Sequence, residues 1–365
     1  MNAVNDRKHQ YVVIMAGGVG SRFWPESREK LPKQFLDILN CGRTLLQSTY
    51  DRFAEFIDPA HIFVVTGTGY VQLVLDQLPQ MPEKQIIVEP IRRNTAPCIA
   101  YAAFKLHEMD HHASMIVAPS DHHITETNLF VDALQHALEF AAHSNTLVTL
   151  GITPTRPHTG YGYIQFDEEL SRNGMYKVKT FTEKPSFEIA QTFLKFGDFL
   201  WNSGIFIWSA KSIIDAFRTL QPDIYEVFHE GKDAYNTPRE HEFIIQAYMQ
   251  TRNISIDYAI MEHARNVYVI PANFGWSDLG NWSSLWEKHD KDSAGNAVSG
   301  SNVMVYESDN CMIRASGDKL VIVQGLSDYC IIDTREVLLI CRMEDEQKIR
   351  EMNHDVLQRY GNRYA

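Results

Sequence analysis

The chain has 365 residues, with 34 Lys and Arg against 46 Asp and Glu, for a formal net charge of −12 at pH 7. That length supports a large buried core plus a smaller unit, and the acidic balance excludes a general coat for nucleic acid or an anionic membrane, so an anionic partner must be held locally. Hydrophobic residues at 44% and charged ones at 22% exclude a disordered or fibrous chain. The five cysteines, Cys41, Cys98, Cys311, Cys330 and Cys341, are odd in number and form no C-x-x-C pair, which fits free thiols in a reducing compartment and gives no zinc signature. Nowhere do about eighteen apolar residues run together, and the opening MNAVNDRKHQ lacks the apolar stretch of a signal peptide. The sequence therefore reads as cytoplasmic, without a membrane span.

From Tyr11 to about residue 151, the short apolar runs YVVIMAGG, HIFVVT, QIIVEP, SMIVAP and TLVTLGI alternate with helical patterns. Short β-branched runs between helices predict a parallel α/β sheet with right-handed crossovers. One helix is predicted from Thr44, where Thr44-x-x-Gln47 reads as a capping box. Another follows Asn94-Thr95, with Pro97 in its first turn. In such sheets ligands lie beyond the carboxyl ends of the strands, so the residues that follow each strand are the candidates. From about 152 to 290 come the strand-like GYIQF and YKVKTF, a helix after Pro185, the apolar LWNSGIFIWS, helices to about Gln250, NVYVIP and FGWSDLGNWSSLW. No low-complexity linker intervenes, which predicts an extension of the same domain. After Gly295 the runs VMVYES, CMIRAS, KLVIVQG, YCIIDT and VLLICR predict a small all-β unit with the rhythm of a solenoid. The stretch from Glu344 onward, EDEQKIREMNHDVLQRY, reads as one amphipathic terminal helix.

The first strand ends in Ala16-Gly17-Gly18-Val19-Gly20-Ser21-Arg22. Glycines there bring backbone N–H groups close to a phosphate. A dinucleotide fingerprint fails, because Phe23 stands where the third glycine belongs and Pro25 interrupts the helix start; a Walker A loop fails because no Gly-Lys-Ser/Thr follows. Between residues 17 and 33 the cations Arg22, Arg28, Lys30 and Lys33 face only Glu26 and Glu29, so an anion belongs here. A tight turn after a buried strand is the plainer reading of the glycines alone.

AGGVGSRFWPESREKLPKQF resembles the signature of the sugar-1-phosphate nucleotidyltransferases, and its Trp-Pro and Pro-Lys-Gln-Phe elements resemble the bacterial mannose-1-phosphate guanylyltransferases, here in a short monofunctional form. It departs at Phe23, where leucine is common. The resemblance continues through EPIRRNTAP, APSDHHI, HTGYGYI, FTEKP, WNSGIF, SIDYAIME and FGWSDLGNW, strongly over about 11–290 and more weakly beyond. It implies a Rossmann-like mixed sheet flanked by helices (GT-A-like), followed by a β-helix-like unit and terminal helix. The implied domains are 1–292, with a nucleotide half at about 11–151 and a sugar-phosphate half at about 152–292, and 293–365. Some longer relatives add a phosphomannose isomerase domain. The present chain ends at Ala365, so a single activity is expected.

Asp121 follows SMIVAP directly, and a carboxylate at a strand's end can hold a hard divalent cation, though it is as often a helix cap. The resemblance pairs it with Asp278 as a ligand of Mg²⁺ or another divalent cation. The pairs His111-His112 and His122-His123 have no matching ligand spacing and are set aside. Pro185 fixes Lys184 at a loop start; the resemblance places Lys184 on the sugar phosphate, Glu183 on sugar hydroxyls, and Tyr161 and Gly162 in the sugar-side loop. Asn202, inside LWNSGIFIW, is an amide that needs partners, which a sugar or a turn before Gly204 would supply. Asp257 reads as a carboxylate at a helix N-terminus beside Ser255 and stays outside the catalytic set.

The reaction implied joins GTP and mannose 1-phosphate into GDP-mannose and pyrophosphate, by in-line attack of a sugar-phosphate oxygen on the α-phosphorus. Arg22, Lys33 and the Gly17, Gly18 and Gly20 backbone would hold the triphosphate, with Ser120 at the nucleotide and Glu89, Asn94 and Thr95 at the guanine edge. Asn94-Thr95 is also simply a helix cap. The alternatives are another sugar 1-phosphate, of heptose or fucose type, or a non-catalytic nucleotide-sugar-binding subunit. A homodimer is expected, without nucleic acid or membrane partners.

Overall fold

The computed structural model describes residues 7–365 other than Asn173; the first six residues of MNAVNDRKHQ, on which the reading of the N-terminus partly rests, lie outside the described residues. Strands β1 (Gln10–Met15), β2 (Ile62–Gly67), β3 (Ile86–Glu89), β4 (Ser114–Pro119), β5 (Leu147–Ile152), β6 (Tyr163–Arg172), β7 (Met175–Thr182), β8 (Phe199–Ser209) and β9 (Val267–Ala272) form one sheet in the order β3-β2-β1-β4-β8-β5-β9-β7-β6. β1 to β4 pair in parallel, as their short β-branched runs predict. β5 does not continue that set. Antiparallel β8 lies between β4 and β5, with Met115 opposite Trp208 and Val148 opposite Ile207. The parallel sheet expected from the residues is thus corrected to the mixed sheet that the resemblance implied. β8 can take this central place because LWNSGIFIW is apolar on both faces, and Trp208 is fully buried.

The predicted capping box is present: Thr44 N donates to Gln47 Oε1 at 3.0 Å and Gln47 N to Thr44 Oγ1 at 3.2 Å, opening the helix Leu45–Ala54. The helix Thr95–Met109 is buried over most of its length and packs against the helices Ala210–Leu220 and Pro222–His229. Val13, Phe63, Phe104, Val117 and Trp208 belong to the core beneath it. This unit gathers the described residues up to Gly17 with Tyr50–Ser120 and Ile124–Trp276.

A second compact unit comprises Gly18–Thr49, Asp121–His123 and Ser277–Ala365, so each unit is discontinuous in sequence. Its strands are β10 (Ala297–Ser299), β11 (Val303–Tyr306), β12 (Met312–Ala315), β13 (Val321–Gln324), β14 (Tyr329–Asp333) and β15 (Leu338–Arg342). They form the sheets β10-β12-β14-β15 and β11-β13, parallel except for β14–β15, which gives the predicted runs a solenoid-like stacking. Phe23, Trp24, Ile38, Trp282, Met312 and Ile332 share one core, which explains why the chain after the glycine loop folds with the C-terminal strands. Arg314 of β12 fastens this segment by donating to Glu26 Oε1, to the Ile38 carbonyl at 2.8 Å and to the Asp37 carbonyl at 3.1 Å.

The single terminal helix expected from Glu344 is corrected: a 3₁₀ turn, Met343–Lys348, precedes the α-helix Ile349–Tyr360. Glu346 turns inward there, accepting from Asn281 Nδ2 at 2.6 Å and Ser283 N at 2.9 Å. Among the described residues no helix is long and apolar enough to cross a membrane.

Candidate active site

In the second unit the glycine loop opens onto a pocket of about 610 Å³. Gly20 has φ of +69°, and a Cβ there would stand 2.5 Å from Lys33 Cβ, so the loop needs glycine at this position. Gly18 meets nothing within 4 Å of a built Cβ, which leaves its backbone open; its carbonyl accepts from Gln34 Nε2 at 2.9 Å. The loop is also pinned by Lys33 N, which donates to the Val19 carbonyl at 3.3 Å.

Lys33 is 3% exposed. Its Nζ donates to Asp121 Oδ2 at 2.9 Å, to the Asp121 carbonyl at 3.3 Å and to the Asp278 carbonyl at 2.8 Å. One ammonium therefore ties together three segments that are far apart in sequence. Burial alone would raise the Asp121 carboxyl, but the charges of Lys33 and His122 and the Lys33 hydrogen bond hold it below the usual carboxylate range. Asp278 Oδ1 accepts from Gly280 N at 2.9 Å, and a Cβ at Gly280 would meet Asp278 Oδ2 at 2.6 Å. Arg22 lines the same pocket, and its Nε is buried without a hydrogen-bond partner. An orphaned buried donor beside a lysine and a bare glycine backbone suits an anion.

The local cation excess divides once folded. Arg22 and Lys33 line the pocket, whereas Arg28 pairs with Glu336 at 2.7 Å and Lys30 is exposed. Arg350, Asn353 and Leu357 of the terminal helix line it too, and sequence reasoning missed them because only the packing of that helix brings them there.

In the first unit, the residues expected at the sugar form a second cluster. A Cβ at Gly162 would collide with Glu183 Oε2 and approach Asn202 Cβ to 3.3 Å, so glycine lets the carboxylate lie against the backbone. Asn202 N donates to the Gly162 carbonyl at 2.8 Å and Lys184 N to the Tyr161 carbonyl at 3.2 Å. Tyr161 stacks on His158 at 3.7 Å and meets Trp201 and Trp276 edge-on. Lys184 has φ of +48°, and its Nζ lies 2.5 Å from Glu183 Oε1.

The Asn202 amide has protein partners: Oδ1 accepts from Gly204 N at 3.1 Å and Thr149 Oγ1 at 3.3 Å, and Nδ2 donates to Asp257 Oδ1 at 3.0 Å. Asn202 lies within β8 rather than in a turn, and its amide is satisfied by these protein partners. Besides its place at a helix start, Asp257 reaches the cluster through Asn202. It begins a π-helical turn, Asp257–Met261, a rare form frequent at functional sites. Burial, reinforced by Glu183, pushes its carboxyl up to about 7. Glu262 adds a third acid, its Oε1 accepting from Glu183 N at 3.3 Å. No spacing in the sequence points to Asp257 or Glu262, because Asp257 meets Asn202 of β8 and Glu262 meets Glu183, both far away along the chain.

Among the nucleotide-side candidates of this unit, Glu89 is buried and accepts from Tyr248 Oη at 3.0 Å; burial pushes its carboxyl up to about 7. Its Oε2 lies 3.4 Å from a Cβ built on Gly17. Asn94 Oδ1 accepts from Thr95 N at 2.9 Å, and Thr95 Oγ1 accepts from Ile256 N at 2.8 Å, so both side chains serve the helix start and its neighbour. Ser120 is buried, with its N bonded to the Met15 carbonyl at 3.0 Å.

Among the described residues no group of three or more His, Cys, Asp or Glu is placed to hold a metal. Asp121, kept ionised, and the oxygen donors of Asp278 still suit a hard cation, which takes further ligands from phosphate and water.

The family model for nucleotidyl transferases matches residues 11–295, and that for a MannoseP isomerase/GMP-like beta-helix domain matches residues 300–355. A mannose-1-phosphate guanylyltransferase of Salmonella montevideo is 36% identical over 348 residues, covering 93% of this chain and 72% of the relative. One from Escherichia coli is 36% identical over 350 residues, covering 93% and 74%. A crystal structure of a mannose-1-phosphate geranyltransferase from Thermus thermophilus superposes with a TM-score of 0.85 at 28% identity, over 95% of this chain and 99% of that one. With a mixed sheet whose first strand runs into a glycine loop, and with that family matched over most of its length, the chain belongs to the nucleotidyl transferase family of enzymes.

Proposed function

We propose that the chain transfers GMP from GTP to mannose 1-phosphate, releasing pyrophosphate and forming GDP-mannose. The observation that carries this reading is the anion pocket of the second unit, where the Gly20 turn, the orphaned Arg22 Nε and the buried Lys33 meet Asp121 and Asp278. The names of the Salmonella and Escherichia coli relatives supply the nucleotide and the sugar.

The nucleophile, a sugar-phosphate oxygen, is already anionic near neutral pH, so the protein needs no general base for it. Its task is to align two anions and stabilise charge at the α-phosphorus. Arg22, Lys33 and the N–H groups of the glycine loop bind the triphosphate. Lys184 neutralises the sugar phosphate, while Glu183 and the Asp257–Asn202 pair offer acceptors and a donor for sugar hydroxyls. Glu89 reads the donor edge of guanine. Asp121 and Asp278 would hold Mg²⁺ or another divalent cation, which neutralises phosphate charge when bound.

The test is pyrophosphate release across a panel of nucleoside triphosphates and sugar 1-phosphates. GTP with mannose 1-phosphate is expected to be turned over fastest. Absence of release with that pair would reject the reading, and faster release with another sugar phosphate would replace the sugar.

A further inference from the structure

We infer that the terminal helix Ile349–Tyr360 is part of the anion site, with Arg350 and Asn353 binding the part of the triphosphate that leaves as pyrophosphate. The inference rests on the reading of the glycine-loop pocket as the triphosphate site. Arg350, Asn353 and Leu357 all line that pocket, and their spacing places them on one face of the helix. An adjacent face is apolar: Ile349 is fully buried, and Met352 and Val356 pack against the core that holds Phe23, Leu279 and Trp282. The turn that leads into the helix is fixed as well, through the Glu346 bonds to Asn281 and Ser283. Docking one face therefore sets the direction of the other.

Charge explains what that second face is for. The pocket lining holds the carboxylates Glu29, Asp121 and Asp278, the Ala365 terminus, His122, and the cations Arg22, Lys33 and Arg350. Lys33 is committed to Asp121 at 2.9 Å. The Arg22 charge also acts on the buried Glu346, whereas Arg350 has no ion-pair partner among the described residues and remains to meet the charges of a triphosphate. The terminal phosphates carry the most charge and the most free oxygens, which match the forked donors of guanidinium. Asn353 Oδ1 is buried without a partner, as is Arg22 Nε. Turning the amide over presents Nδ2–H at the same place, the donor an anion needs.

Binding of inorganic pyrophosphate to the full chain by calorimetry, together with steady-state KM values, tests this. In Arg350→Ala the pyrophosphate Kd and the KM for GTP are expected to rise about 10- to 100-fold, the effect of removing a charge-assisted hydrogen bond. The KM for mannose 1-phosphate and the Tm stay at wild-type values, Arg350→Lys recovers part of the loss, and Asn353→Ala gives a smaller rise. Arg359→Ala, which makes the same charge change on an exposed part of the helix, leaves both constants unchanged. Wild-type pyrophosphate affinity in the Arg350→Ala, Asn353→Ala double variant overturns the inference, as does a rise confined to the KM for mannose 1-phosphate. Pyrophosphate binding that depends on Arg350, in a chain that does not turn over GTP and mannose 1-phosphate, upholds the anion site and rejects the proposed reaction alone.

Discussion

At the glycine loop the lysine side chain is 3% exposed and held by Asp121 and two carbonyls, whereas at the sugar-side loop Lys184 is 56% exposed and rests on the carboxylate beside it. The acids differ in the opposite sense. Asp121 is held below the usual carboxylate range by cations, while Asp257 is pushed up to about 7 by burial and by Glu183. A triphosphate needs cations fixed beforehand, because reorganising them around so much charge is costly. A sugar needs acceptors and donors close together, with a single exposed cation for its phosphate.

The comparison is broken most directly at the two lysines. Lys33→Met is expected to lower kcat/KM about 10²- to 10³-fold, as loss of one preorganised charge does. It should also cost about 1–3 kcal/mol of stability, since Asp121 loses its cation. Lys184→Ala is expected to raise the KM for mannose 1-phosphate about 10- to 100-fold. Its Tm should fall only slightly, because Lys184 is exposed although its partner Glu183 is buried, and such a pair contributes about 1 kcal/mol or less. Pyrophosphate-release kinetics and thermal unfolding of the two variants check both halves. If Lys33→Met unfolded at the wild-type temperature, or Lys184→Ala unfolded well below it, the contrast between a built-in and an exposed cation would be lost.

Much of the glycine-loop site is legible in the sequence because its key residues are close along the chain: Gly20, Arg22 and Lys33 follow one strand, and the local charge excess stands out against an acidic whole. Even there the sequence overcounts, since only folding shows that Arg28 is paired with Glu336. What is illegible depends on long-range placement. Asp257 joins the sugar-side cluster through Asn202 of β8, and β8 sits between β4 and β5 for reasons of pairing that its own apolar run does not state. Arg350 reaches the pocket because Ile349, Met352 and Val356 choose which face of the helix is buried. The solenoid runs were visible, but three-residue β10 was too short to be seen, and nothing in the runs said that the chain after the glycine loop shares their core.

A smaller effect is expected at Gly162, where a methyl group would be driven into Glu183 Oε2. Gly162→Ala must push the carboxylate away, at about 1–3 kcal/mol of strain. The expected result is a rise of about tenfold or less in the KM for mannose 1-phosphate with the KM for GTP unchanged. A wild-type sugar KM would mean that Glu183 does not face the sugar.

The last expected effect is a pH dependence of stability carried by Asp257. Its folded-state carboxyl titrates near 7, against an ordinary value of 3.8, so between those values the folded chain binds a proton that the unfolded chain has lost. Stability then falls as pH rises through that window: there is no penalty from this group below it, and the full penalty persists above about 7. Asp257→Asn keeps the shape without the titration, so its Tm should gain on the wild type as pH rises from about 4 to about 7, which calorimetry in matched buffers can follow. The Lys184 charge lowers the Asp257 carboxyl, and removing it in Lys184→Ala should carry the window to higher pH. Parallel Tm profiles for wild type and Asp257→Asn would instead mean that the buried acid keeps its charge throughout. The acid-rich cluster would then be paired as tightly as Asp121 is with Lys33, and the two sites would follow the same electrostatic plan.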